Sequence, residues 1–396
     1  MSFINTKTGR VVITLFILLV FFIVSAISTS AATFTVTDTS DRVDTNPVPP
    51  GTFSINIIPG SGDDSANGDL DITAPLTIIG QGAGVTILDG SGLDRVLHIH
   101  ETAGNVTLVN LTIQNGISAE YGGGIYNLSP GTLRLDGVTV TNNTTVMEGG
   151  GIYTELGRLI ITGGSVLSGN SARSGGGLYN AGELSPLNIP SRVEISNSTI
   201  SGNSANSGGG VYNTHEGTLV LTDVTVSNNN AADNGGGVAN DGKTSFTITR
   251  STFTGNVAVG EGGGVYSHSE RPLNITDSTF TYNLAGNFDG GDGGGLYTDG
   301  SGSVNITGST FSYNEAAHAG GGITFASFGF ITISDSTVSY NRAETGGGIN
   351  HDGSHIVLSR LTIHHNHATH DGGGLLNQGG GTFTLEDSNI YANSAE

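Results

Sequence analysis

The feature that most constrains this chain is a triplet of glycines that returns at nearly constant intervals. Gly-Gly-Gly starts at positions 122, 149, 175, 208, 235, 262, 293, 320, 346 and 372, in steps of 27, 26, 33, 27, 27, 31, 27, 26 and 26 residues. A second marker keeps step with it: Asn143, Asn170, Asn203, Asn229, Asn256, Asn283, Asn314, Asn341, Asn366 and Asn393, each three residues after an apolar residue. Eight of these ten asparagines lie 21 residues after the start of their triplet, so the two markers belong to one repeating unit. A period of this length means a repeat architecture, and it overrides the division into two or three globular domains that 396 residues would otherwise suggest.

Between the markers, apolar residues alternate in pairs such as Leu133/Leu135, Leu219/Leu221, Leu273/Ile275 and Phe383/Leu385, the two-residue period of a strand with one buried face. A third apolar point follows five residues later, at Val140, Val226, Phe280 and Ile390; the coil opening at Gly149 shows no clean pair. Helical periodicity and capping signals are missing. Three short strands per unit cannot bury their apolar faces alone, but units stacked in register can, with like residues falling into columns about 4.8 Å apart. The expected fold is therefore all-β, a right-handed parallel β-helix (solenoid) of about ten regular coils plus one or two irregular N-terminal coils. In that frame glycine suits tight corners and close backbone approach. The ten asparagines read as a structural ladder, each amide bonding to the amides above and below.

The chain divides into four parts. Residues 1–32 read as a signal peptide: Lys7 and Arg10 precede an apolar run from Val11 to Val24, and small residues lead to Ala32. A run of fourteen residues falls short of the roughly 20 that span a bilayer, so no stable membrane span is expected after cleavage. Residues 33–69 form an N-terminal strand, Thr33 to Thr39, with a linker and cap region; 70–121 hold the irregular first coils, with apolar runs at Leu76–Ile79, Val85–Leu88, Val96–Ile99 and Val106–Ile113; 122–396 are the regular repeats. The chain stops at Ser394-Ala395-Glu396, where another triplet is due, so it is expected either to be a fragment or to have its last coil protected by something else.

Thirteen basic and thirty-four acidic side chains give a net charge of −21, which repels nucleic acid and anionic lipid. Cysteine is absent, excluding disulfides and thiolate metal sites.

The pairing of Gly-Gly-Gly-[Ile/Val/Leu] with [Phe/Ile/Val]-x-x-Asn resembles the repeats of chlamydial polymorphic outer-membrane proteins, most closely at Phe253-Thr-Gly-Asn256, Phe280-Thr-Tyr-Asn283 and Phe311-Ser-Tyr-Asn314. The stretch from Gly80 to Gly90 is similar to the opening coil of large bacterial surface proteins with β-helix repeats. The resemblance implies an exported, secreted or cell-surface protein, an adhesin or passenger, with a surface glycan or envelope component as partner.

Enzymes acting on polysaccharides also use this fold. Of the segments a polygalacturonase-like hydrolase would show, Gly62-Asp63-Asp64 is present and the Asn-Thr-Asp, Gly-His-Gly and Arg-Ile-Lys segments are absent; a lyase needs a cationic base, and Lys243 is the single lysine after the leader. The alternative catalytic set is Asp223, Arg250 and Asp277, in a column where Asp-Arg-Asp recurs at Asp335, Arg360 and Asp387. Two acids about 9 to 10 Å apart stand near the upper limit for an inverting glycosidase; a solvated charge ladder, with each arginine bridging two acids, is the simpler reading. The candidate ligand-binding residues are Tyr126, Tyr153, Tyr179, Tyr212, Tyr266 and Tyr297, expected to form an outward stripe able to stack on sugar rings. His351, His355, His364, His365, His367 and His370 match no metal-ligand spacing and read as a solvated, titrating edge. Asn287, Asp289 and Asp292 could wrap calcium, but one acidic loop is slight evidence, and no cofactor is expected. A non-catalytic surface protein leads over a carbohydrate-active enzyme, because an enzyme should break its ladder with a cleft between long loops, and the chain offers two modest insertions, Ala181–Ser191 and Ala285–Asp292.

Overall fold

A computed structural model of the chain describes residues 51–54, 68–182, 190–286, 290–353 and 355–396. The leader, the strand expected at Thr33 to Thr39, Gly62-Asp63-Asp64, Asn287 and Asp289 lie outside them.

All pairing between strands is parallel, and no helix occurs among the described residues. One coil illustrates the path: the triplet at Gly235, strand Val238–Gly242, strand Phe246–Thr249, strand Thr252–Thr254, then Asn256 and the two-residue strand Val257–Ala258. The ten strands that follow the triplets, preceded by Leu70–Ile72 and Leu97–Ile99, stack into a 12-stranded sheet ending at Leu375–Asn377, so the described residues make about twelve turns. The next two strands of each coil form a 23-stranded sheet; of the two-residue strands, Ile117–Ser118 and Thr144–Thr145 pair with each other and the remaining eight form an 8-stranded sheet. The fold is the parallel β-helix expected from the repeat, and its irregular first coils continue the same register: Leu70 pairs with Leu97, and Leu97 with Ile125.

Apolar side chains fill the lumen in columns. Phe246 pairs with Leu273, Ile248 with Ile275 and Phe253 with Phe280, all buried. The rings of Phe253, Phe280 and Phe311 stack at 4.7 and 4.5 Å. The coil opening at Gly149 conforms after all: in Arg158–Thr162, Leu159 and Ile161 point inward, and Ile160 between them takes the outer face. The adjacent apolar residue hid the alternation.

Nine asparagines of the ladder, Asn143 to Asn366, are buried between coils, and Asn393 is half-buried. Asn256 Nδ2 donates to Asn283 Oδ1 at 2.9 Å and to the Val226 carbonyl at 2.9 Å, while its Oδ1 accepts from Asn229 Nδ2 and from the Asn229 backbone N–H. The same amide-to-amide bond runs unbroken from Asn143 to Asn393. A buried amide left unbonded would cost about 1–3 kcal/mol, so complete pairing is what lets a polar residue occupy this corner.

A second inward polar column escaped the sequence reading: Asn180 Nδ2 donates to Asn213 Oδ1 at 2.6 Å and Asn213 Nδ2 to Asn240 Oδ1 at 2.7 Å. Its signal was the asparagine directly after Tyr126, Tyr179 and Tyr212.

The Asp223/Arg250/Asp277 column has a backbone cause. Gly137, Gly164, Asn197, Asp223, Arg250, Asp277, Gly308, Asp335, Arg360 and Asp387 all have φ between 45° and 77°, the left-handed corner that joins two strands of a coil. Glycine, asparagine and aspartate tolerate that region best, which explains most of the column before any charge is considered.

Candidate functional site: an aromatic and acidic face

In each triplet-following strand the first and third residues face the lumen and the middle one faces out, as at Ile125, Tyr126 and Asn127. Parallel register therefore sets tyrosine against tyrosine: Tyr153 on Tyr179 and Tyr179 on Tyr212 at 5.4 and 5.3 Å, Tyr266 on Tyr297 at 5.7 Å, all with nearly parallel rings. The stacking half-buries them and buries Tyr153. Their faces are spent on one another, so the stripe presents ring edges and hydroxyls outward. It breaks at Ala239, which is only 1% exposed, so its neighbours close over it and leave no slot.

Carboxylates line both margins of this stripe. Two residues beyond the tyrosine column stand Asp241, His268 and Asp299. The Tyr212 hydroxyl donates to the Asp241 carboxylate, the Tyr266 hydroxyl reaches Asp299 Oδ2 at 3.5 Å, and His268 Nδ1 lies 2.8 Å from Asp299 Oδ1. On the opposite margin Glu261 and Asp292 directly precede their triplets, and Asp292 Oδ1 meets His318 Nδ1 at 2.8 Å and the Ala319 N–H at 2.9 Å. Of the residues considered for calcium, Asp292 is thus already bonded.

Burial pushes the Asp241 carboxyl above its ordinary range, against the opposing hydrogen bond from Tyr212. It does the same to Glu261, helped by the charges of Asp292 and Asp299. Tyr126 is pushed up to about 12, chiefly by burial and then by Glu155. Tyr212, Tyr266 and Tyr297 move the same way, burial acting first in each.

The two insertions open on opposite margins of this face. Ala181 directly follows strand Leu178–Asn180 on the Asp241 side, where Gly182 accepts the Glu216 N–H; the other insertion ends at Asp292. Asp241, Glu261, His268 and Asp299 were not picked out from the sequence. The available signal was their fixed offset from the tyrosines, which means little until the coils are stacked.

The other candidates stand elsewhere. Arg250 contacts Asp223 through Nε and Nη2 at 2.9 and 2.8 Å, and Arg360 contacts Asp335 at 2.6 and 2.7 Å. The carboxyls of Asp223 and Asp335 are held below their ordinary range by these bonds, and both pairs are exposed. Each arginine forks onto the acid of the preceding coil, and the following acid, Asp277 or Asp387, adds only through-space charge. The histidines scatter: His364 and His365 meet at 2.8 Å, His367 bonds to Ser394 and His355 to Thr382. His351 departs from the expected solvated edge, being buried at a lumen-facing position and bonded to Asn377 Oδ1 at 2.6 Å. A third set of rings, Tyr282, Tyr313 and Tyr340, stacks at 5.1 and 4.9 Å on the outside of the left-handed corner just before the ladder asparagines.

Residues 222–395 match the family model of the right handed beta helix region. The match begins within strand Thr218–Ser227 and takes in Asp241, Glu261, Tyr266, His268, Asp299 and the rest of the β-helix to its last coil. No curated protein and no solved structure matches the chain.

Proposed function

We propose that the chain is an exported, non-catalytic β-helix protein that displays its tyrosine and carboxylate face to a neutral or amino-bearing glycan at the cell surface. The observation that carries this reading is the lengthwise strip of phenol edges, hydroxyls and carboxylates from Tyr126 to Asp299. A polyol offers hydroxyls along its length, and such a strip offers matching donors and acceptors at a repeat of one coil. The carboxylates select against acidic polymers and favour neutral or protonated amino sugars. The repeat resemblance to chlamydial polymorphic outer-membrane proteins and the basic, apolar, small-residue order of the leader support export.

One observation favours a second reading, cleavage of the polysaccharide. Burial shifts the Asp241 carboxyl in the direction a general acid requires, and Asp299 lies two coils away, about 10 Å by coil spacing, near the upper limit for an inverting pair. Against it, Asp241 is tied to Tyr212 and Asp299 to His268. A glycan array probed with the purified chain, run beside a reducing-sugar assay, separates the two. Binding to neutral or amino glycans that Tyr266→Ala and Asp299→Asn abolish, without release of reducing ends, supports display. Sugar release that disappears in Asp241→Asn, or in Asp223→Asn and Asp277→Asn, overturns it in favour of an enzyme.

A further inference from the structure

We propose that Asp71, His98 and His100 form a binding site for one divalent transition-metal ion of the zinc class. The site stands at the N-terminal end of the 12-stranded sheet and does not rest on the glycan reading. In Leu97-His98-Ile99-His100 the two apolar residues fill the lumen, so strand alternation sends both imidazoles to the outer side. Parallel register then places Asp71 directly opposite His98 in the preceding coil. Both rings turn a nitrogen to the same carboxylate oxygen: His100 Nε2 lies 2.5 Å and His98 Nδ1 3.5 Å from Asp71 Oδ1. One ligand atom from each of the three residues lies within 4.8 Å of the other two.

A second observation points the same way. Asp71 Oδ2 is buried and has no hydrogen-bond partner. A desolvated carboxylate oxygen in that state is costly, and a bound cation is one of the few devices that offset it. The nearby guanidinium of Arg95 is directed elsewhere, onto Asp69 at 3.0 Å and over the Tyr126 ring. Two imidazole nitrogens and a carboxylate oxygen are a donor set that zinc-class ions take, with a fourth position left for water or another ligand. Bonds of about 2.0–2.2 Å in a tetrahedral site put ligand atoms about 3.3–3.5 Å apart, so His100 must withdraw slightly from Asp71. Its side chain is 37% exposed and free to do so, while those of Asp71 and His98 are 6% and 8% exposed. The His98 ring is held between His100 at 3.9 Å and Tyr126 at 4.9 Å, which fixes its orientation.

The test uses the purified chain without a histidine tag, stripped with a chelator, titrated with Zn²⁺ by calorimetry and with Co²⁺ by visible absorption. The expected result is one equivalent per chain, cobalt bands of nitrogen and oxygen ligation, and an unfolding midpoint that Zn²⁺ raises. His100→Ala, altering the most exposed of the three, removes that equivalent with the circular dichroism unchanged. Asp71→Asn weakens it, and the double variant His364→Ala/His365→Ala retains it. No bound equivalent in the parent chain, or one that survives His100→Ala or is lost with His364 and His365, overturns the proposal.

Discussion

Asp223 and Asp241 are the same residue type on the outside of neighbouring coils, yet their carboxyls shift in opposite directions. Arg250 forks onto Asp223 in open solvent and holds it ionised, whereas burial beneath Tyr212 raises Asp241. The consequences for stability have opposite signs. With a folded pKa above the ordinary 3.8, Asp241 favours the fold fully below that pH and loses the contribution as pH climbs through the raised value, so at neutral pH it is a net cost. Asp223, with a depressed folded pKa, contributes above 3.8 and loses the contribution as pH falls through the lower value. Thermal unfolding of Asp241→Asn should therefore show a higher midpoint than the parent at pH 7 and little difference near pH 4. For Asp223→Asn the effect should be small and should vanish in high salt, because exposed pairs are screened. A lower midpoint for Asp241→Asn at pH 7 would mean that the Tyr212 bond outweighs the burial.

At the scale of the coil, the triplet glycines leave no room for a side chain. Gly262 sits at φ +69°, and a Cβ on Gly263 would stand 2.4 Å from the Leu284 carbonyl oxygen and 2.6 Å from that of Gly294. Both are backbone atoms, one in the same turn and one in the next, and cannot step aside. Gly263→Ala should therefore prevent the local coils from closing, seen as loss of the cooperative unfolding transition. Asn256→Leu is expected to cost about 1–3 kcal/mol for each donor it orphans: it leaves the backbone N–H of Asn229 and one Nδ2 hydrogen without an acceptor, while the other Nδ2 hydrogen keeps the Ile200 carbonyl. Asn393→Leu, at the exposed end, should cost much less. Equal midpoints for the two asparagine variants would show that the ladder adds nothing beyond its corner geometry.

For the molecule as a whole, the relevant quantity is a chain charge of −21, most of it carried by a stack whose coils meet only their neighbours. Coil spacing is about 4.8 Å, and the screening length at 0.1 M salt is about 10 Å, so carboxylates one and two coils apart repel at low ionic strength and much less above it. Raising salt from about 0.01 M to 0.3 M should raise the unfolding midpoint, by differential scanning calorimetry. A midpoint that fell would mean that pairs such as Arg158 with Glu194 dominate the repulsion.

The repeat, the direction of the alternating side chains in every coil but the one opening at Gly149, and the inward asparagines were legible in the sequence alone, because a strand's period and a coil's length are local properties written once per turn. Leu273, Ile275, Phe280 and Asn283 could be placed from spacing without knowing anything of their neighbours. What only the tertiary structure decided is what stacking creates between residues about 27 apart. The six tyrosines were visible, but their mutual burial, which turns open faces into edges, depends on the distance between coils. Asp241, His268 and Asp299, like Asp71, His98 and His100, are unremarkable until parallel register sets one coil upon the next. The charged column was half legible for a related reason: its exposed aspartate–arginine pairs followed from the repeat, but a left-handed backbone angle leaves no mark in composition that distinguishes it from a charge pattern, and only the folded chain shows that these positions share that corner.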